Sequence, residues 1–474
     1  MNGTTKIPLP PISQYEWIAR LMMNGKYWIL ITLTMVMVTS KVFSQQEDQP
    51  SGGAEMRVNA AQAIARSVTN QPLIQAAEAA VESARAKLGQ ARSAYYPDIS
   101  GTASWDHVIP NEQLFFGGEL FTLAPTDYWD FNVGANQLIY DFGKREFNVK
   151  LAKSGIDAAL INVNQIKTNI AFETLRTFYA VRFLGEEVAS FDERIENLEQ
   201  HRRDAENREK TGSSTHLDVV TTEVNIANVK ADRIDAADQL ERQKSRLRQL
   251  LGLNPDVPLV AEGDFISDSM GGDASSLVEK ALDDRPDLLQ AANSAEMASL
   301  DKTLAVLGDR PSITAGAGLG FKNGLFTVDN TDLNALEFNW NVGIALNVPI
   351  FDGFMTANRT AEAEGSLAAA KDEVENIRRT IEAQVVQAIR SLAASRSRVE
   401  NSADQLTQTK QALDIARTQY TLGVITNLQY LDSQTSFGLA TLNRLNALYK
   451  QALSESDLEQ AVGEDIWNKE GGKK

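Results

Sequence analysis

Residues 129–141 read WDFNVGANQLIYD, and residues 340–352 read WNVGIALNVPIFD. Set 211 positions apart, they match at Trp129/Trp340, Asn136/Asn347 and Ile139-Tyr140-Asp141/Ile350-Phe351-Asp352. In the first, Trp129, Phe131, Val133 and Ala135 alternate with Asp130, Asn132, Gly134 and Asn136. In the second, Phe338, Trp340, Val342, Ile344, Leu346 and Val348 keep the same spacing. Period two over about ten residues marks a strand with one apolar face.

Upstream of each lies a second strand of the same kind. Ile99, Gly101, Ala103 and Trp105 alternate with Asp98, Ser100, Thr102 and Asp106, and Ile313, Ala315, Ala317, Leu319 and Phe321 form the counterpart. Here the best shift is 214, placing Asn70-Gln71-Pro72 on Asp284-Arg285-Pro286 and Tyr96-Pro97 on Arg310-Pro311. The three-residue difference falls between Ile99 and Trp129, where an exposed loop is expected. The chain therefore reads as two tandem copies of one unit, although about 150 residues per domain would suggest three.

Downstream the period becomes helical. Val149, Ala152, Ile156, Ala159, Val163, Ile166 and Ile170 are spaced three and four, a heptad seam. No proline interrupts Lys144 to Thr211 or Phe354 to Leu422, so each predicts one helix about 100 Å long. Gly212 and Gly423 end these helices, where a reversal costs least, and shorter helices return over 215–251 and 427–462. With helices over 73–95 and 287–309, two short helices end to end match one long one. The first repeat is expected over 57–256, with strands at about 97–108 and 128–141, and a linker at 257–274. The second is expected over 275–465, with strands at about 311–322 and 336–351, followed by a tail, 466–474.

The N-terminus carries WILITLTMVMVT from Trp28 to Thr39, too short for a bilayer-crossing helix but suited to a secretory signal cleaved after Ser44. Residues 1–44 are read as that signal, with Met22 or Met23 as an alternative start, and residues 45–56 as a flexible segment. The composition fits export. With 46 basic and 63 acidic side chains the net charge is −17, which argues against nucleic acid as a partner. The absence of cysteine removes disulfides, thiolate metal sites and acylated cysteine anchors. Mean hydropathy is −0.26, compatible with strands that show lipid only at every second residue.

Four half-apolar strands cannot close on themselves, and open edges are not tolerated in lipid. Three copies would supply twelve strands, within the range of membrane barrels. Trp129 and Trp340, read at matching strand ends, suit an aromatic girdle. A soluble β-sandwich with helical inserts is the competing fold.

The chain resembles the trimeric TolC-like outer membrane factors. The resemblance spans about residues 55–465 and rests on the duplicated helix-strand-strand-helix unit, Tyr-Pro at 96–97, Asp-Arg-Pro-Asp-Leu at 284–288, Phe-Asp-Gly at 351–353, and Tyr-Thr-Leu-Gly at 420–423 followed by Leu428 and Leu431-Asp432. It implies an α+β membrane protein: a homotrimeric twelve-stranded barrel in the outer membrane of a Gram-negative bacterium, continuous with a long periplasmic helical barrel. It further implies an exit duct of a tripartite efflux pump or type I secretion system. The tips at Gly212 and Gly423 would meet a membrane-fusion adaptor and an inner-membrane pump. By the same resemblance, Gln429 and Asp432 occupy positions that often carry acidic rings, and Asp218 is the first-copy equivalent. Tyr420 and Asp218 match a closing pair between helices. A second polar lock falls on Ile425 and Leu217, so an apolar contact is expected in its place.

No catalytic, cofactor or metal site emerges. His107, His201 and His216 have no metal-ligand spacing and read as ordinary surface or strand residues. There is no phosphate loop and no nucleophile elbow, so an enzyme is a poor reading. The rival function is a structural or adhesive coiled-coil protein, on the surface or in the periplasm.

Overall fold

The computed structural model describes residues 55–110, 113–122, 125–265, 272–324 and 332–467, and all of these fall in one unit, residues 52–474. The expected signal, residues 1–44, and most of the expected tail lie outside the described residues. In chain order the elements are β1 (Met56–Val58), α1 (Ala60–Asn70), α2 (Pro72–Ser93), β2 (Asp98–His107), β3 (Gln113–Phe116), β4 (Glu119–Thr122), β5 (Asp127–Tyr140), α3 (Lys144–Lys210), α4 (His216–Leu250), β6 (Leu259–Ala261), α5 (Ala274–Asp284), α6 (Pro286–Val306), β7 (Ser312–Lys322), β8 (Glu337–Asn347), α7 (Met355–Thr421) and α8 (Asn427–Val462).

The long helices α3 and α7 have 67 residues each, about 100 Å of rise. α3 packs against α2 and α6 along the half nearer the strands, and against α4 and α8 along the other half. α7 packs against α5 and α6, then α8. Short helices thus line up beside long ones, as the heptad seams require. α2 and α6 each begin with proline at the first turn, where its missing N–H costs nothing.

Midway along the helices, Phe172, Phe178, Leu247 and Leu251 form a buried belt with Val58, Leu259 and Ala261. The last three belong to a parallel strand pair, β1 with β6, registered Met56↔Leu259 and Val58↔Ala261. Two boundaries therefore change: Met56 is paired in a strand, and the expected linker at 257–274 contains a strand, Leu259–Ala261. Strands of three residues are too short to leave a period in the sequence.

Each strand-to-helix corner is built around an aspartate. Phe142 and Gly143 turn left-handed (φ 55° and 90°), as do Gly353 and Phe354 (both 66°). Buried Asp141 accepts hydrogen bonds from the backbone N–H groups of Gly143 (3.2 Å) and Arg145 (2.8 Å), capping α3. The Arg145 guanidinium donates to the carbonyls of Leu138 (2.7 Å) and Ile139 (2.9 Å) and lies over the Tyr95 ring. Asp352 repeats the cap on the Thr356 N–H at 2.8 Å. Just before the first corner the register slips between Leu138 and Tyr140, which bends β5 towards the helix.

Candidate functional site

β2, β5, β7 and β8 form one antiparallel sheet in that order. On one face the cross-strand rows read Trp105–Trp129, Ala103–Phe131–Phe321–Phe338, Gly101–Val133–Leu319–Trp340 and Ile99–Ala135–Ala317–Val342. The large side chains of this face are exposed, Val342 to 72% and Ile344 to 79%. An exposed apolar face of this extent is rare on a soluble monomer and marks a surface that is covered in the working protein. On the other face the rows read Ser104–Asp130–Lys322–Glu337, Thr102–Asn132–Gly320–Asn339, Ser100–Gly134–Gly318–Asn341 and Asp98–Asn136–Gly316–Gly343. That face is polar and small, with charge confined to its end rows.

Aromatic side chains mark both ends of the apolar face. At the far end Trp105 meets Trp129 (centroids 6.0 Å) and Phe321 meets Phe338 (5.5 Å). At the helical end Tyr95, Tyr96, Tyr140, Phe142, Phe351 and Phe354 are all exposed around the corners. Nine residues separate Tyr96 from Trp105, about 30 Å along a strand and about 23 Å once tilted by roughly 40°, close to the apolar band of a membrane barrel. Trp129 and Trp340 are expected at matching strand ends. The register instead pairs Trp129 with Trp105 and sets Trp340 two rows further in, opposite Leu319. The second aromatic cluster, at the corners, has its signal in the six aromatics that flank the strands in the sequence.

The connection before β5, where a loop is expected, contains a hairpin, β3 with β4. It turns at Gly117 and Gly118, both with positive φ (65° and 95°), as a two-residue turn demands. At the opposite end of the helices, Gly212 (φ 72°) and Gly423 (φ 74°) close the turns as expected. The N–H of Ser213 bonds the Arg208 carbonyl, and that of Val424 bonds the Gln419 carbonyl, so each turn satisfies the end of its long helix.

Asp218 and Gln429 hold the same structural position, third in their helices and each closing a capping box. Gln429 accepts from the Thr426 N–H at 2.9 Å. Asp218 accepts from the Thr215 N–H at 2.9 Å and from the Ser214 hydroxyl at 2.8 Å. Burial pushes the Asp218 carboxyl up, but the bonds from Thr215 and Ser214 outweigh it and hold the group below the ordinary carboxylate range. The expected direct pair between Tyr420 and Asp218 is absent among the described hydrogen bonds. The Ser214 hydroxyl stands between them, within reach of both. The patterns Thr215-x-x-Asp218 and Thr426-x-x-Gln429 announced these caps in the sequence. Asp432 lies exposed one helical turn further along α8. Ile425 packs half-buried on the apolar cluster of Phe191, Leu198, Tyr430 and Leu431, whereas Leu217 is 68% exposed.

The links between the two helical hairpins come from residues the sequence reading passed over. Arg208 on α3 donates to the carbonyls of Tyr420 (3.1 Å) and Thr421 (3.2 Å) at the end of α7, and its guanidinium stacks 4.8 Å over the Tyr420 ring. His201, read as a surface residue, is 5% exposed. Its Nε2 is 2.6 Å from the Asn427 side-chain oxygen, and the Asn427 amide donates to the Asp218 carbonyl at 3.0 Å. The spacing Leu198, His201, Ala205 places this histidine in the buried seam. Among the described residues no group of His, Asp and Glu is arranged to hold a metal, and no helix is long and apolar enough to cross a membrane, a finding that does not concern strands.

A shaft of paired long and short helices thus bears an open antiparallel sheet that is apolar and exposed on one face and polar on the other. The sequence profile of the family described as outer membrane efflux protein matches residues 63–253 and 277–464, and the chain belongs to that family. It is a protein of the outer membrane. It is similar to Outer membrane protein TolC of Vibrio cholerae, 27% identical over 295 residues, covering 62% of this chain and 65% of the relative, a little under two thirds. It is also similar to the outer membrane efflux protein BepC of Brucella suis, 21% identical over 419 residues and 87% of each chain. The CmeC outer membrane channel of Campylobacter jejuni shares the fold, with a TM-score of 0.73 at 18% identity over 86% of this chain and 88% of that one.

Proposed function

We propose that three copies of this chain close a twelve-stranded barrel, and that the assembly is a passive exit duct across periplasm and outer membrane. The single observation that carries the proposal is the open four-stranded sheet, apolar and exposed on one face, polar on the other, with β2 and β8 as its two edges. An edge in lipid is costly, and three sheets joined edge to edge remove all six. The polar face with its glycines and asparagines then lines the bore, with charge at its two end rows. The helices, duplicated with the strands, prolong that bore into the periplasm. Transport energy comes from partners: an adaptor seated at the turns of Gly212 and Gly423 and an inner-membrane pump, for drug efflux or for protein secretion. A surface coiled-coil or adhesive protein would use the helices equally well but would leave the apolar sheet face without a solvent.

The tip is the gate. Under threefold symmetry Asp218 and Asp432 become rings of negative charge that favour cations at the entrance. The hairpin carrying α7 and α8 is held to α3 by Arg208, which caps carbonyls and stacks on Tyr420. Removing it takes the guanidinium donor from the Thr421 carbonyl, leaves the Tyr420 carbonyl with the Gly423 N–H, and loosens the turn at Gly423. In planar bilayers at neutral pH, Arg208→Ala is expected to raise the resting conductance of the trimer several-fold over wild type. Unchanged conductance in an intact trimer contradicts the gate at this position.

A further inference from the structure

We infer that His201 is an acid-sensitive latch between the two helical hairpins at the tip, opening the duct as the surrounding pH falls. The inference rests on the reading of the tip as a gate.

The geometry fixes the protonation of the ring. The Asn427 amide nitrogen donates to the Asp218 carbonyl at 3.0 Å and reaches the Thr221 hydroxyl at 3.3 Å, so its oxygen is the atom turned to His201. His201 must therefore donate from Nε2, and a single histidine on α3 is tied through the first residue of α8 to the backbone of α4. The ring is packed between Tyr420 on α7 (centroids 5.0 Å) and Tyr430 on α8 (4.4 Å). All four helices of the tip thus meet at one neutral imidazole.

Adding a proton puts a charge and a new N–H at Nδ1, which has no hydrogen-bond partner among the described residues. Every charged or titratable group around it can be named. On its own helix, Asp204 attracts the charge and Arg208 repels it. From α4, Asp218 attracts it. Glu193 and Arg194 of α3 and Asp414 and Arg417 of α7 line the same groove further off, two of each sign, and burial pushes both tyrosines up, so they stay neutral. The tyrosine faces and the two carboxylates offset part of the cost. Burial prevails and holds the imidazole below its ordinary value, despite the bond to Asn427.

The sign follows by linkage. A latched histidine with a lowered pKa binds fewer protons than a released, solvated one, so acidification favours release. Release sets in as pH falls below about 6.5, the ordinary histidine value, and ends where the latched imidazole itself titrates. Within that window each histidine multiplies the open-to-closed ratio by up to about tenfold per pH unit.

The test is the conductance of reconstituted full-length trimers at pH 7.5 and 5.5, in parallel with three variants. Wild type is expected to conduct several-fold more at pH 5.5. His201→Gln, which keeps a donor near the Nε2 position and cannot take a proton, is expected to stay at its pH 7.5 value. The double variant His107→Gln/His216→Gln leaves His201 as the remaining histidine of the three in the chain and is expected to keep the full acid response. A pH-flat wild type, an acid response retained by His201→Gln, or its loss in the double variant each overturns the latch. Should His201→Gln fail to trimerise, the wild type and the double variant still decide. Arg208→Ala separates the two readings. If it opens the duct at pH 7.5 while wild type ignores acid, the gate stands and the latch falls. If it has no effect, the gate reading itself is wrong.

Discussion

Val342→Arg is expected to abolish the trimer in outer-membrane fractions. Val342 sits in the row Ile99–Ala135–Ala317–Val342, between the aromatics of the two ends, and is 72% exposed on the apolar face. An arginine near the midplane of a membrane barrel costs about 2–4 kcal/mol, or roughly 6–12 kcal/mol over three copies. That is comparable to the whole stability of a typical domain, about 5–15 kcal/mol. The neighbouring Asn341 faces the opposite side, in the row with Ser100, Gly134 and Gly318. Asn341→Arg is therefore expected to assemble, its guanidinium in the aqueous bore. Heat-modifiable migration of detergent-extracted protein reads both outcomes. Equal assembly of the two variants would contradict the assignment of the faces.

Gly320→Ala carries the second large effect, and its cause is steric. A Cβ at position 320 would overlap the carbonyl oxygen of Phe131 and lie 3.0 Å from the Asn132 Cα, both backbone atoms that cannot swing aside. β5 and β7 would have to separate, and within the four-stranded sheet theirs is the pairing that joins the strands of the first repeat to those of the second. Loss of heat-resistant trimer is the expected result. Gly343 supplies the control: it lies on the same polar face, but a Cβ there meets nothing within 4 Å. Gly343→Ala should assemble like wild type, and a failure of both would trace the defect to glycine loss in general rather than to the contact at Phe131.

What the sequence revealed follows from the range of the physics involved. Period-two alternation is local, so all four strands of the main sheet were legible to within a few residues at each end. The long helices were legible from heptads and missing prolines, and their ends from Gly212 and Gly423. The pairing of Met56–Val58 with Leu259–Ala261 was hidden, because three residues carry no period and the partner lies some 200 residues away. The tip shows the same division. Its turns and capping boxes are local, and the boxes were in plain view, yet Asp218 was assigned to a lock because a resemblance suggested one. Arg208 and His201 act across helices from different halves of the chain. Their partners depend on the relative rotation of α3, α7 and α8, which no pattern within one helix specifies. Trp340 was misplaced for a related reason: sequence shift gives equivalence between copies, whereas height on a sheet is set by register.

The proposed barrel closes where the β2 edge of one chain meets the β8 edge of the next. The chain has no cysteine, so an introduced pair reports without background. Within one chain β2 and β8 are three strand spacings apart, about 14 Å, too far for a disulfide. Cysteine at Thr102 on β2 is combined, in separate variants, with cysteine at Asn339, Asn341 or Gly343 on β8, all on the polar face. Oxidation of outer membranes is predicted to give, for at least one pair, a ladder of one, two and three linked chains that stops at three. Monomers alone for every pair, or a ladder that runs past three, would contradict the trimeric barrel.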